Sequence, residues 1–510
     1  MKKLLSRRFI FVLSLLSAIF FFVVLYELSM LPIKYYAALV VIVLAIILLL
    51  YRGEKDKENK HPMKVAFLKL IHIVLSVFLV VASITVMKGS GFIDSFTGGG
   101  NQTIEYNVIA LKSSSYDQIE DLKEAQFGAN TSVDAINVNK VETMIEEKIG
   151  DIEVETYTSH SDVIDALLNE NIDAMIVKSI DLETFDDIES GFNDKIKIID
   201  QYEIIIPSAK ANSAKVTKEP FLIFISGTDK TGPIDTFSLS DVNMIAAINP
   251  TTKQVLLISI PRDYYVDIIG MDGVSGKDKL THSAKGGINC TLETVENLMG
   301  VDFNYYAKFN FTSFMNVVDA LGGVTINIPK YNVIGNSEGK FTTKIYGYQM
   351  KPGETQMDAK HALAFVRERK SFVEGDAIRG KNQMLMIKAI IKKCCSPAII
   401  KNMDGVFESL SDSFETNLES SDIKSLINMQ IDDMASWDIQ SYRLTGDESK
   451  RAFHLATVGN VTKVNPRGLI VNEPYSDSVK QAKEYIQIIM ESNEILKVKE
   501  DEWLIKTFRM

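Results

Sequence analysis

Two acids and four arginines stand out by type and spacing. Asp229 follows the uninterrupted apolar run Phe221 to Ser226, and Asp241 lies in "LSDVNM" just ahead of another apolar run. Arg262, in "SIPRDYY", follows a third. Further on, "AFVRERKSFVEGDAIRGKNQ" supplies Arg367, Arg369, Asp376, Arg379 and Gln383. Paired carboxylates suit a hard divalent cation. Mg²⁺ takes one or two carboxylates and completes its octahedron with phosphate oxygens and water. Guanidinium forks bind phosphate bidentately and keep their charge at any working pH. The combination predicts a site for Mg²⁺ and a polyanion. Taken singly, each residue has a plainer reading: Asp229 as a turn cap, Asp376 as a helix cap, Arg367 and Arg369 as a solvated face.

The elements that must position these groups are legible. Phe221 to Ser226, Asn243 to Asn249 and Gln254 to Ile260 read as strands, so Asp229, Asp241 and Arg262 fall at strand ends, where α/β sheets keep functional groups. Ile378 to Lys393 reads as a helix, placing Arg379 and Gln383 at i and i+4 on one face. If the segment around them is extended, Arg367 and Arg369 point the same way. Phe309 to Leu321 and Met384 to Ile391 are amphipathic, fit either to line an apolar groove or to pack as core. Upstream, Ile104 to Leu111, Ile152 to Tyr157 and Ile172 to Lys178 read as strands. Tyr116 to Ala125, Val133 to Ile149 (with Ser132 as N-cap) and Ser159 to Asn169 read as helices. That alternation predicts a small α/β domain with a mainly parallel sheet. Ala209 to Glu219, closed by Pro220, reads as a linker.

From about Phe221 to Glu491 the chain resembles the LytR-CpsA-Psr (LCP) family, in particular CpsA-like members with an accessory domain before the catalytic one. The matching segments are "SDVNMIAAINPTTKQVLLISIPRDYYV", "KDKLTH", "TLETVENLMGVDFNYYAKFNFTSFMNVVDALGGV" and "ALAFVRERKSFVEGDAIRGKNQ". The resemblance implies a phosphotransferase that joins a polyprenyl-pyrophosphate-linked glycan, of capsule or wall teichoic acid type, to peptidoglycan. It further implies that Asp229 and Asp241 are Mg²⁺-associated, and that Arg262, Arg367, Arg369, Arg379 and Gln383 hold the pyrophosphate. Asp376 would be a base or an orienting group for an arginine; Asp229 or the substrate itself could equally take the proton. Asp229, Asp241, Arg262 and Asp376 are thus the expected catalytic set. The chain departs from the family at Leu239, where Arg usually precedes the second acid by two residues, and at Thr231, where another Arg is common. The departure predicts weaker phosphate binding or a changed substrate preference, with Lys230 or Lys279 at hand to compensate; Lys279 is counted with the pyrophosphate-binding groups.

The chain has 510 residues, with 55 Lys+Arg against 66 Asp+Glu for a net charge of -11. That acidic balance argues against a nucleic-acid partner. Three cysteines, two of them the neighbours Cys394 and Cys395, support neither a disulfide scaffold nor a metal cluster. Three apolar runs open the chain: Phe9 to Leu28, Tyr35 to Tyr51 and Val65 to Met87. Each is about long enough to cross a bilayer. Lys2, Lys3, Arg7 and Arg8 precede the first run, and Arg52, Lys55, Lys57, Lys60 and Lys64 separate the second from the third. The loop between the first two offers only Lys34. The positive-inside rule then places the N-terminus in the cytoplasm and everything after Met87 outside. An external domain cannot rely on ATP, so its substrate must arrive already activated.

The organisation expected is α/β: a membrane anchor of three transmembrane helices (residues 1–88), a flexible Gly-rich linker (89–102), an accessory α/β domain (103–213), an LCP domain with a central sheet flanked by helices (217–492) and a tail (493–510). Partners would be the lipid-linked glycan, peptidoglycan, membrane lipid and capsule or wall-polymer assembly proteins, with no nucleic acid. Two other functions fit the same residues: a lipid-pyrophosphate hydrolase, with water as acceptor, and a membrane-bound regulator of the transcription-attenuator type, which the topology disfavours.

Overall fold

The computed structural model describes residues 6–498 except 30, 56–60, 230–233, 235–236, 397–398, 411–413, 464 and 492–494. Lys230, Thr231 and the tail residues 493–494 and 499–510 therefore lie outside the described residues, as do Lys2, Lys3, Lys57 and Lys60, whereas Leu496 within the tail is buried in the core of the second domain. Three helices, α1 (Arg7–Glu27), α2 (Ile33–Gly53) and α3 (Pro62–Phe96), are long and apolar enough to cross a membrane. They pack on one another through Phe21, Leu25, Ile47 and Leu79.

At 35 residues α3 is about 50 Å long, more than the ~30 Å hydrocarbon layer requires. Its last turns carry the membrane helix straight into the globular part, where Ile93 and Phe96 pack with Phe407 and Phe414. This corrects the expectation of a flexible linker over 89–102. Gly89 and Gly91 sit inside the helix, and the amides of Gly98 and Gly99 donate to the carbonyls of Leu418 and Thr416. Apolar contact and hydrogen bonding outweigh the glycines' cost to the helix.

The accessory domain is a five-stranded sheet, β3-β2-β4-β1-β5, built from β1 (Asn101–Leu111), β2 (Gln126–Asn130), β3 (Glu153–Tyr157), β4 (Ala174–Lys178) and β5 (Ile196–Pro207). Helices α4 (Ala135–Ile149), α5 (His160–Leu168) and α6 (Ser179–Ile188) cover it. β2 pairs in parallel with β3 and β4, whereas β1 pairs antiparallel with β4 and β5. The sheet is mixed rather than mainly parallel, because the long β5 returns alongside β1. Ser132 does not cap α4; its hydroxyl donates to Asn130 and Thr158, and Asp134 takes the cap position in the left-handed region. Only a short 3-10 turn, Ile119–Leu122, forms where a helix over 116–125 is expected.

The second sheet runs β16-β11-β6-β7-β8-β17, where β6 is Phe221–Thr228, β7 Val242–Asn249 and β8 Gln254–Ile260. Between β8 and the rest come two short strands, β9 (Tyr265–Asp267) and β10 (Lys277–Lys279); then β11 is Tyr305–Asn310. Small hairpins follow, pairing β12 (Val324–Ile328) with β15 (Gly353–Met357) and β13 (Phe341–Thr342) with β14 (Gln349–Met350). The outer strands are β16 (Phe414–Thr416) and β17 (Asp438–Arg443). Helices α7 (Gly287–Met299) and α13 (Ser476–Glu491) pack on one side of this sheet, around Phe224, Ile245, Leu256, Val295 and Ile486. On the other side lie α8 (Phe311–Ala320), α9 (Ala359–Arg367), α10 (Asp376–Cys394), α11 (Ile399–Leu410) and α12 (Ser420–Asp433).

The two domains share their cores. Phe237, in the β6–β7 loop, is buried among Ile104, Tyr106 and Ile204 of the accessory sheet, and its amide donates to the Thr103 carbonyl. Ala452, Leu455, Val458 and Val471 join the opposite accessory core, with Ile109, Met175 and Phe185. Between these patches the Lys285 ammonium, fully buried, meets Asp181 at 3.0 Å and Thr184 at 2.8 Å. The stretch 209–219, expected as a linker, is also pinned: Val216 is buried and the Ala214 amide donates to the Tyr305 hydroxyl.

Candidate functional site

Sheet register gathers the site on one rim. β6 and β7 are antiparallel, with Gly227 opposite Val242, so Asp229 beyond the end of one and Asp241 before the start of the other are neighbours. β7 and β8 are antiparallel with Asn243 opposite Ile260, which brings Arg262 to the same edge. β17 runs parallel to β8 and ends there in Arg443, opposite Ser259. β11 runs parallel to β6 and delivers the start of α8 beside Thr228. A glycine is required at 227, because a Cβ there would lie 2.7 Å from the Phe309 ring and 3.0 Å from Val242.

On this rim each acid holds a base. Arg262 donates to Asp241 and lies 3.8 Å from Asp263. Lys279, carried on β10, lies 3.5 Å from the other oxygen of Asp263. Arg367, the last residue of α9, sits 3.4 Å from Asp229 with its guanidinium 4.6 Å from the Phe311 ring. Arg379 and Asp376 pair at 2.7 Å on the first turn of α10. The Asp241 carboxyl is held above the usual range by burial and by the Asp229 charge, against the opposing pull of Arg262 and Arg379. Arg262 also feels Asp376, which links the α10 pair to the strand-end pair.

Gln383 lies one turn along α10 from Arg379 and is half-buried. Arg369 is the residue the structure does not bring in. α9 ends at Arg367, so the two arginines do not share an extended segment, and Arg369 is exposed without an ion pair to any described residue. Leu239, at the family's arginine position, is drawn the other way: it packs with Phe237 against the accessory core. Two residues escaped sequence reasoning. Arg443 is buried, 3.6 Å from Glu448, and lies beside Gly380 next to Arg379. Burial raises the Glu448 carboxyl's pKa, and the charges of Asp376 and Asp263 add to that against the pull of Arg443. Their signal was positional only: the end of a parallel edge strand.

Asp278, in "KDKLTH", is fully buried; it takes hydrogen bonds from the Lys279 and Thr457 amides and the Thr457 hydroxyl, and pairs with His282 at 2.6 Å. It fixes the strand that presents Lys279. The α8 face expected for a groove is divided. Phe311 and Val318 are core, while Phe309, Ile225 and Ile387 stay half-buried around Met384, between α10 and the sheet.

Among the described residues no group of three or more His, Cys, Asp or Glu could hold a metal. The donor set at Asp229 and Asp241 still fits a hard cation that borrows ligand oxygens from its substrate. Fold and charge pattern define an α/β protein with three helices able to cross a membrane and a sheet rim where three guanidiniums meet carboxylates. The chain belongs to the LytR_cpsA_psr family, whose model matches residues 190–466. Over 269 residues it is 34% identical to a polyisoprenyl-teichoic acid–peptidoglycan teichoic acid transferase, TagU, of Bacillus licheniformis, covering 52% of this chain and 77% of that protein. TagU of Bacillus subtilis is 34% identical over 225 residues, 44% of this chain and 64% of the relative. Similar solved structures include B. subtilis TagV, at 25% identity and TM-score 0.43 over 54% of this chain and 98% of that one. Another is TagT with bound octaprenyl pyrophosphate lipid, at 25% identity and TM-score 0.39 over 56% and 97%.

Proposed function

We propose that this chain transfers a glycan phosphate from a polyprenyl-pyrophosphate carrier to a hydroxyl of peptidoglycan, at the outer face of the membrane. The observation that carries the reading is the pairing of three guanidinium groups, from Arg262, Arg367 and Arg379, with acids on one rim, in a family whose relatives are named as transferases of this kind. Arg367 and Arg379 donate bidentately to the two phosphates, Lys279 adds a further positive charge, and Gln383 supplies a neutral donor one turn from Arg379. The acceptor oxygen bonds to the sugar-proximal phosphorus as the bond from that phosphorus to the bridging oxygen breaks. Polyprenyl phosphate leaves and stays in the membrane. Negative charge grows on the bridging oxygen, so fixed cations aimed there do most of the catalysis. The acceptor's proton passes to a carboxylate on the rim; Asp376 and Asp229 are both in place.

Asp229 and Asp241 are the residues that would hold Mg²⁺, which would neutralise charge on the phosphate oxygens. The same two carboxylates hold Arg262 and Arg367 in this structure, and those guanidiniums would turn to the substrate once the carboxylates took up the cation. The half-buried apolar seam of Ile225, Phe309 and Ile387 beneath α10 suits the first isoprene units. Orientation rests on the basic residues flanking the helices and on contacts that put the α1–α2 turn on the globular side: Lys34 meets Asp432 at 2.7 Å, and Asn428 donates to the Ser29 carbonyl. The anchor keeps the rim near its lipid and raises its effective concentration. The test is incubation of the full chain with lipid-linked glycan, Mg²⁺ and peptidoglycan oligomers. Polymer attached to the oligomers supports transfer; free glycan phosphate alone means hydrolysis and sinks the proposal.

A further inference from the structure

A sizeable cavity lies apart from the arginine rim. It measures about 850 Å³ and lies beside the β13–β14 hairpin, within the range of real ligand sites. Lys340, Lys344, Lys351 and Lys370 line it, with Asn336 and Thr342 between them, and none of its lining residues is acidic. Among the described residues the one carboxylate paired to these lysines is Glu338, 2.6 Å from Lys340. Glu368 is turned inward, its oxygens accepting from the Lys344 and Ser371 amides. The wall is continuous with the catalytic segment: Lys370 follows Arg369 directly, and the Ile334 amide donates to the Ser371 carbonyl to tie the strap down. Four exposed ammonium groups around a concave polar surface raise the local potential for an extended anion.

We propose that this cavity is a subsite for the anionic repeat units of the glycan itself, phosphodiester or uronate, downstream of the pyrophosphate. It rests on the transferase reading for naming the polymer as donor. The lysines hold the polymer's charge while the arginines hold its headgroup, so chain length and charge are sensed apart from chemistry. The test uses the full-length protein and its Lys340→Gln/Lys351→Gln/Lys370→Gln variant, whose exposed side chains carry no packing. Soluble poly(glycerol phosphate) is the binding probe and a neutral dextran of equal length the control. The variant should bind the probe on the order of tenfold more weakly, and wild-type binding should fall with salt. KM for a long anionic donor should rise by a similar factor with kcat unchanged, while a donor carrying one neutral sugar is processed as before. Unchanged probe binding overturns the proposal, as does an equal loss with the single-sugar donor, or competition by peptidoglycan fragments where poly(glycerol phosphate) does not compete. If the wild type binds the probe through these lysines but transfers nothing, the transferase reading fails and the subsite stands.

Discussion

At Arg379 the shape of the cation matters as much as its charge. A guanidinium can hold Asp376 and two phosphate oxygens at once, whereas an ammonium is a point charge. Arg379→Lys should therefore slow transfer on the order of 10²-fold while leaving thermal unfolding essentially in place, because lysine keeps a positive charge beside Asp376; steady-state transfer beside a melting curve checks both. Asp278 behaves oppositely. Burial works against its charge, but His282 and the Thr457 donors outweigh that and hold its pKa below the ordinary Asp value. A depressed carboxyl contributes stability that is complete above its unfolded pKa of about 4 and disappears as pH falls through the lower folded value. Asp278→Asn should cost about 3 kcal/mol at neutral pH. Denaturant curves for the two proteins should draw together as the medium is acidified below pH 4.

Among the elements, the loop from β6 to β7 is held from two directions. The Asp241 amide donates to the Gly227 carbonyl at 2.8 Å, and Phe237 is sunk in the accessory core. Phe237→Ala leaves a cavity costing about 3 kcal/mol and frees the loop that carries both acids. Hydrogen exchange at Asp241 should accelerate while the centre of β7 stays protected; equal acceleration along the strand would mean general unfolding instead. Gly227→Ala forces a Cβ against the Phe309 ring and should destabilise by about 1–3 kcal/mol, read by the same melting curves. The strands that carry the acids and Arg262 were legible, since continuous apolar runs bounded by charged loops have one plausible conformation. Less legible were the places where contacts override local preference. The Gly-containing end of α3 stays helical because Ile93 and Phe96 find Phe407. Arg369 falls outside because α9 stops at Arg367. Leu239 turns to a second domain whose position no local pattern encodes.

On the scale of the whole molecule, helix, accessory sheet and catalytic sheet form a connected body, since α3 docks directly on α11 and the two domain cores interlock. The site's height above the membrane is then set by a helix rather than by a slack chain. Protease added to intact protoplasts should remove the globular part and leave fragments no longer than the anchor; a protected globular part would place it in the cytoplasm. The site was legible in its residue types and in its family resemblance, while the lysine cavity was not, because Lys340 and Lys370 meet only through the strap between β12 and α10.

The most direct measurement is a structure of the full chain with a prenyl pyrophosphate and Mg²⁺. Both phosphates should lie within hydrogen-bond reach of Arg367 and Arg379, with the cation at Asp229 and Asp241 and the first isoprenes along Ile225 and Phe309. A headgroup bound elsewhere on the protein, with the three arginine–aspartate pairs left intact, would contradict the account.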